Sequence, residues 1–305
     1  MHQLLINPQK PRLCPGRRTT YPPVECEPFH WMKDNMPFGT ITDIDGFTID
    51  EDKELVTGLL QKREYDINDY DAVLDCTQVK ESLVRYENEP EWKLRCKLSF
   101  LLEVPLFLTI WPIDYPIMKY PKASSPIIAF NISLHENELQ FGKEFEGDTK
   151  DLVALVRKLR GRSRSTTKTL YLATTMMECF LVTTSDTWPG NLDAFTWDPK
   201  RNVVTSIIEF KTHNNPGYTI SSQYFGQWPE DKLRLKALDI MQKYIATKSD
   251  KPKLVFVVWG TDKSHTEVKL QTIDSLKSSN DRYIKRPMFT NITTKEFTDE
   301  VLAYI

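Results

Sequence analysis

A faint internal repeat constrains the fold of this chain more than any other feature. Residues 45–63, DGFTIDEDKELVTGLLQKR, align without a gap with residues 193–211, DAFTWDPKRNVVTSIIEFK, and six positions are identical. Each copy is followed by an amphipathic segment that begins Pro-Glu, at 90–104 and at 229–249, and then by a short apolar strand with a tryptophan near its end. The order strand, strand, helix, strand therefore occurs twice, which predicts duplication of one α/β unit. The alternative is an unrelated N-terminal α/β region.

The chain of 305 residues is long enough for two ordinary domains. Polar, turn-rich sequence at residues 120–145 predicts the boundary between them. We expect an N-terminal unit at 1–135 and a C-terminal unit at 136–305, each a mixed β-sheet flanked by helices. The second unit is expected to begin with the amphipathic helix DLVALVRKLR and a further helical stretch, TKTLYLATTMMECFLV, whereas the proline-rich residues 1–40 are expected to be irregular.

Composition excludes several classes of protein. No window approaches eighteen uninterrupted apolar residues, and the N-terminus lacks the features of a secretion signal, so we expect no membrane partner and a cytoplasmic location, or a nuclear one in a eukaryote. Five cysteines without a CxxC pair predict reduced thiols, and the scattered histidines give no support to structural zinc. The net charge of −2 means that any contact with nucleic acid depends on local patches.

Two acidic residues and a lysine lie on the predicted hairpin of the second copy. Asp193 stands in the run GNLDAFTW, and Glu209, Phe210 and Lys211 end the run VVTSIIEFK. Neighbouring strands then bring both carboxylates to one point, and Lys211, two residues after Glu209, lies on the same face of its strand. Mg²⁺ prefers oxygen ligands and keeps several waters, so these carboxylates and the Phe210 carbonyl form a suitable set, for Mg²⁺ or Mn²⁺.

GNLDAF followed by IIEFK resembles the metal-binding motif of the PD-(D/E)xK nuclease superfamily, which includes restriction endonucleases and junction resolvases. The resemblance spans residues 150–262 and implies a restriction-endonuclease-like fold for both units. It also implies that Asp193 and Glu209 bind the metal, that Lys211 serves the attacking water, and that Glu178 is an additional acid from the first helix. The chain departs from the motif in having Asn-Leu, not proline, before the aspartate.

The alternative for this motif is a set of surface residues on an ordinary hairpin. A glutamate directly after an apolar run carries a large desolvation cost unless it has a cation or another partner, which favours a site.

The first copy has Asp45, Gln61 and Arg63 at the same three positions. Glutamine supplies no negative charge and arginine accepts no proton at ordinary pH, so the first copy is expected to be a non-catalytic partner.

Candidate contacts to nucleic acid come from a basic run and from residues after the motif. The run at 157–168 has six cations and no acidic residue, although solvated surface is the ordinary role of such a run. The predicted nucleic-acid-binding residues are Arg160, Arg162, Arg164, Lys168, Gln223 and Lys232.

The predicted activity is hydrolysis of nucleic acid, with DNA as the expected substrate, by a metal-dependent endonuclease that acts alone, as a homo-oligomer or with a partner protein. Two alternatives stay open. One is a protein that binds nucleic acid on a nuclease scaffold without cutting it. The other is a phosphatase, because Asp43 and Asp45 in DIDGFT resemble the nucleophile loop of haloacid-dehalogenase-type phosphatases.

Overall fold

The computed structural model describes residues 3–8, 12–13, 27–113, 125–160, 172–173, 175–182, 184, 186–213, 219–224, 227, 229–260, 267–274, 277–285 and 295–305. The chain divides into two compact units. The first consists of residues 1–20 and 44–191, and the second of residues 21–43 and 192–305. The second unit is therefore built from two separate stretches of chain.

The strands are β1 (Arg12–Leu13), β2 (Ile41–Ile44), β3 (Gly46–Asp50), β4 (Leu55–Tyr65), β5 (Leu106–Pro112), β6 (Ile127–His135), β7 (Glu138–Gly147), β8 (Leu172–Ala173), β9 (Leu192–Asp198), β10 (Val203–His213), β11 (Lys253–Gly260), β12 (Glu267–Asp274) and β13 (Lys277–Lys285). The α-helices are α1 (Pro28–Asn35), α2 (Tyr70–Val73), α3 (Cys76–Tyr86), α4 (Glu89–Leu102), α5 (Thr149–Arg160), α6 (Met176–Leu181), α7 (Pro229–Lys248) and α8 (Lys295–Tyr304). Short 3₁₀ helices lie at Ile67–Asp69 and Ile220–Ser222.

The two units have equivalent sheets. The first sheet has the order β3-β4-β5-β6-β7, and the second has the order β9-β10-β11-β12-β13 with β2 added beside β9. In each, the second and third strands are parallel and the other neighbouring pairs of the five are antiparallel. The predicted α/β class, with two mixed sheets flanked by helices, is confirmed.

The pairing of the first two strands matches residue for residue. Phe47 lies opposite Leu59, and Phe195, the corresponding residue of the second copy, lies opposite Ile207. Both ladders shift register at the same point, which leaves Thr57 or Thr205 as the extra residue of a bulge. The repeat therefore extends from the sequence to the hydrogen-bonded ladder.

The side chains around the bulge and the turn also correspond. The hydroxyls of Thr57 and Thr48 are hydrogen-bonded at 2.9 Å, and those of Thr205 and Thr196 at 2.6 Å. Each turn begins with an aspartate, Asp50 or Asp198, whose carboxylate accepts from the backbone N–H groups two and three residues later. These local bonds favour the same turn in both copies.

The predicted boundary at 135/136 differs from the observed division. Residues 127–147 form the hairpin of β6 and β7, and β6 pairs with β5, so this segment completes the first sheet. Helix α5 packs on that sheet through Leu152 and Val156, in a cluster that includes Leu60 of β4. Strand pairing and burial thus assign residues 136–191 to the first unit.

The core of the second unit lies between its sheet and the helices α1 and α8. Met32 of α1 and Val301 of α8 are fully buried in the same cluster as Ile208 of β10. Trp31 lies 5.3 Å from the ring of Trp259. Residues 1–40, predicted to be irregular, therefore contribute a helix to the second core, and this prediction was wrong for α1. Its start is favoured by Pro28 at the first helical position.

The described cysteines differ in their state. Cys76 and Cys96 are free, whereas Cys179 is disulfide-bonded, so the prediction of reduced thiols was wrong for Cys179.

Among the described residues, no helix has the length and apolar character needed to cross a membrane.

Candidate functional site

Asp193 lies at the start of β9 and turns its carboxylate toward β10. The Phe210 N–H donates to Asp193 Oδ2 at 2.8 Å. Ladder pairing between β9 and β10 ends at Ala194 and Ile208, so Asp193 caps the edge of β10 just beyond the last pair. In the first unit the Lys62 N–H donates to Asp45 Oδ2 at 3.1 Å, at the corresponding positions. The aspartate therefore has the same structural place in both copies.

The bond between Asp193 and Phe210 also orients a backbone carbonyl. In an extended strand the N–H and C=O of one residue point to the same side. Because the Phe210 N–H points to Asp193, the Phe210 carbonyl lies on that same edge of β10. This is the orientation that the predicted role of Phe210 as an oxygen ligand requires.

Glu209 and Lys211 lie on the opposite face of β10 from the core of α1 and α8. Ile208 and Phe210 contact that core, so the alternation of the strand turns Glu209 and Lys211 to the face covered by α7. Glu209 is buried, as the apolar run before it predicted, and Lys211 is partly buried.

Arg234 of α7 joins the two acids. Its Nε and Nη2 atoms donate to the two carboxylate oxygens of Glu209, and Nη2 also lies 3.2 Å from Asp193 Oδ1. The carboxylates of Asp193 and Glu209 therefore meet at one point, with the Arg234 guanidinium between them. Sequence reasoning did not assign Arg234 to the site, since it lies on a helix 25 residues after Glu209.

The environment of Glu209 favours its neutral form. Burial raises the pKa of Glu209 to about 8, and the negative charge of Asp193 acts in the same direction, whereas the Arg234 guanidinium lowers it. Raised carboxyl pKa values are frequent where acids are grouped for chemistry, and here the raised pKa accompanies the convergence of two acids.

Two more residues related to the site were not found from the sequence. Glu27, at the start of α1, has its pKa raised by burial and by the charge of Asp193, while His30 lowers it, so Glu27 lies within electrostatic reach of Asp193. Val258 of β11 pairs with Lys211 of β10 on one side and with Lys269 of β12 on the other. Residues paired across neighbouring strands share a face of the sheet, so both lysines lie on one face. Neither has a recognisable sequence signal, because their relation to Asp193 and Lys211 arises from α1 packing and strand pairing.

Glu178 has a different place from the predicted one. It lies in α6, within the first unit, and pairs with Lys62 at 2.6 Å. Its carboxylate also accepts from the Thr175 N–H at 3.0 Å and completes a capping box at the start of α6. The charge of Lys62 and the capping role account for an acid at this position without a metal.

The predicted nucleic-acid contacts are distributed over both units. Lys232 is exposed on α7. Gln223 is buried, and its carbonyl accepts from Lys269 Nζ at 2.7 Å. Arg160 is partly buried at the end of α5, where burial lowers its pKa against the effect of Asp186. Arg162, Arg164 and Lys168 lie outside the described residues.

The residues present fit a small divalent cation in donor type. Asp193 and Glu209 supply carboxylate oxygens and Phe210 a carbonyl, which is enough protein for Mg²⁺ when water and phosphate complete its shell. Within the described ranges, no group of three or more His, Cys, Asp or Glu residues is arranged to hold a metal ion.

The corresponding place in the first unit is closed by its own arginine. Arg63 Nη1 lies 3.1 Å from Asp45 Oδ2, while Nε and Nη2 donate to the two oxygens of Glu87 at 2.7 and 2.8 Å. Arg63 also lies over the ring of Trp92 at 5.2 Å. This unit has Gln61 where the second has Glu209, and Asp45 is held by Lys62 and Arg63.

Comparison with protein-family models, with curated proteins and with solved structures found no match to this chain.

Proposed function

We propose that the second unit is a metal-dependent nuclease that hydrolyses phosphodiester bonds, with DNA as its first candidate substrate. The observation that supports this most is the convergence of Asp193 and Glu209 on one cation, Arg234, at the edge of β10. A partly buried pair of acids that converges on a positive group supplies oxygen donors of the kind that Mg²⁺ or Mn²⁺ prefers.

Each residue has a role that follows from its position. Asp193 and Glu209 would hold a divalent cation, with the Phe210 carbonyl on the same edge of β10 as a further oxygen donor. A bound cation polarises the phosphate and stabilises the leaving oxygen. Lys211, on the same face of β10 as Glu209, would orient the attacking water or stabilise charge that grows on the phosphate.

The experiment is cleavage of supercoiled plasmid, linear duplex, single-stranded DNA and RNA, each with Mg²⁺, Mn²⁺ or EDTA. We expect cutting only with a metal, and nicking of closed plasmid if the enzyme is an endonuclease. Lys211→Ala is expected to lower the rate about 100-fold or more and to leave DNA binding intact. Lys236→Ala, an exposed lysine on α7, serves as the control and keeps the wild-type rate.

A second candidate is a protein that binds nucleic acid without cutting it. The observation in its favour is that Arg234 satisfies both acids, as an inactive scaffold requires. Binding of DNA by the wild type, with no cleavage under any metal condition, would select this candidate.

The phosphatase hypothesis has weaker support, because Asp45 is bonded to the Lys62 N–H and to Arg63. Wild-type turnover of a small phosphate ester that Asp43→Asn abolishes would revive it.

A further inference from the structure

Both units bring an arginine to the repeated aspartate, but the two arginines come from different elements. In the first unit Arg63 belongs to β4 itself, at the position that Lys211 has in β10. In the second unit Arg234 reaches the acids from α7, across the face of the sheet. The same charge is thus supplied in two ways.

Arg63 is fully buried among its partners. Its side chain is 1% exposed, its guanidinium is bidentate to Glu87, and the Trp92 ring lies against it. Trp92 Nε1 donates to the same Glu87 carboxylate at 2.9 Å. Removal of Arg63 from this cluster would leave a buried carboxylate without its charged partner, which is strongly unfavourable.

Arg234 is held less completely. Its side chain is 24% exposed, against 1% for Arg63, although the acids of the two clusters are about equally exposed, at 18% and 11% for Asp193 and Glu209 and at 16% and 11% for Asp45 and Glu87. Water therefore reaches the arginine itself in the second unit, so the charge of a departing guanidinium can be solvated. Its long side chain starts from a helix, and its head can move to solvent without displacing β10.

We infer that Arg234 is a displaceable occupant of the cation site, which holds the acid pair closed until a divalent cation takes its place. This inference rests on the proposed function. Its physical basis is competition, because Arg234 donates to both oxygens of Glu209 and to Oδ1 of Asp193, the atoms that a cation needs. Two positive groups also repel strongly at contact distance in a partly buried site, so the guanidinium and the metal exclude each other.

The experiment is calorimetric titration of Mn²⁺ into the full chain after EDTA treatment and dialysis. Arg234→Gln is compared with the wild type and with Arg201→Gln, which removes an exposed arginine–aspartate pair with Asp250 in the same unit. We expect Arg234→Gln to bind Mn²⁺ about tenfold more tightly or better, since the competing charged hydrogen bonds are gone. Arg201→Gln is expected to bind as the wild type does.

The outcomes separate the displacement by Arg234 from the proposed function. Equal or weaker Mn²⁺ binding by Arg234→Gln overturns the displacement and leaves the metal site standing. If neither the wild type nor Arg234→Gln binds Mn²⁺, or if binding survives Asp193→Asn, the proposed function itself is overturned. If circular dichroism shows that Arg234→Gln does not fold, Arg234→Lys replaces it. Because the lysine ammonium lacks the planar fork by which Arg234 donates to both oxygens of Glu209, it competes less strongly for the acids, so Arg234→Lys should also strengthen Mn²⁺ binding, and unchanged binding by it overturns the displacement.

Discussion

Glu209 owes its raised pKa to burial and to two charged neighbours, Asp193 and Arg234, that act on the same carboxyl group. Burial and Asp193 both disfavour its charge, and Arg234 favours it, with burial as the largest effect. The corresponding residue in the first unit is Gln61, which is buried and carries no charge. One substitution between the copies therefore separates a titratable site from a neutral position in the same strand.

The stability of the metal-free protein should depend on pH through Glu209. Its pKa is raised from 4.5 to about 8, so the folded state keeps a proton that the unfolded chain releases. This contribution is fully present below about pH 4.5 and is lost as the pH rises through about 8, with a total on the order of a few kcal/mol. Glu209→Gln should remove this part of the dependence of the unfolding free energy on pH. Chemical denaturation in EDTA between pH 5 and pH 9 measures it.

Glu300→Gln is the control, since Glu300 is an exposed acid of the same unit paired with Arg282. It should keep the wild-type dependence on pH. Parallel curves for the wild type and Glu209→Gln would show that Glu209 is not the titrating group.

Arg63 should be essential for the stability of the first unit. Arg63→Gln leaves Glu87 buried without its partner, and we expect a loss of about 3–5 kcal/mol in the free energy of unfolding. Lys143→Gln removes the exposed pair with Glu146 in the same unit and should cost less than about 1 kcal/mol. Chemical denaturation of both variants measures the difference. Similar losses for the two would mean that Arg63 is not the partner on which the cluster depends.

At the scale of elements, the duplicated hairpin shows which features a β-ladder preserves. The register, the bulge and the aspartate of the turn are the same in both copies, although few of the residues are identical. Each turn ends with a residue in the left-handed region, Glu54 at φ 52° and Asn202 at φ 57°. Asparagine tolerates this conformation, whereas glutamate does so at a cost.

An exchange of these two turn residues should change stability in opposite directions. Glu54→Asn is expected to stabilise the protein by about 0.5–1 kcal/mol, and Asn202→Glu to destabilise it by a similar amount. Both side chains are exposed, so packing contributes little to either value. Thermal unfolding of the two variants gives the comparison.

Lys53→Asn is the control for this exchange. Lys53 lies beside Glu54 and does not have a positive φ, so the change should stay within about 0.5 kcal/mol. A gain at Lys53 equal to that at Glu54 would attribute the effect to asparagine in general and not to the backbone conformation.

At the scale of the whole molecule, the second unit is assembled from residues 21–43 and 192–305. Met32 and Ile41 from the first stretch lie in its core with Ala194 and Ile208, and Trp197 N–H donates to the Thr40 carbonyl at 2.8 Å. The candidate site is therefore supported by a helix and a strand that precede it by more than 140 residues of chain.

A chain in which residues 21–43 are joined by a flexible Gly/Ser linker to residues 192–305 should fold by itself, since it contains the whole second core. The fragment 136–305 lacks α1 and β2, which leaves apolar surface of its core uncovered, and should not unfold cooperatively. Circular dichroism with thermal melting distinguishes the two. A cooperative transition for 136–305 would show that α1 and β2 are dispensable.

The sequence by itself determined what depends on neighbours along the chain. The alternation of apolar residues and the turn residues were sufficient to predict the two hairpins, the repeat and the meeting of Asp193 with Glu209, because strand register follows from local pattern and turn chemistry. Only the tertiary structure decided that α1 belongs to the second unit, that Glu178 pairs with Lys62 and that Arg234 lies between the acids. These outcomes depend on which distant surfaces bury each other, and a partner supplied by a packed helix leaves no spacing in the sequence by which it can be found.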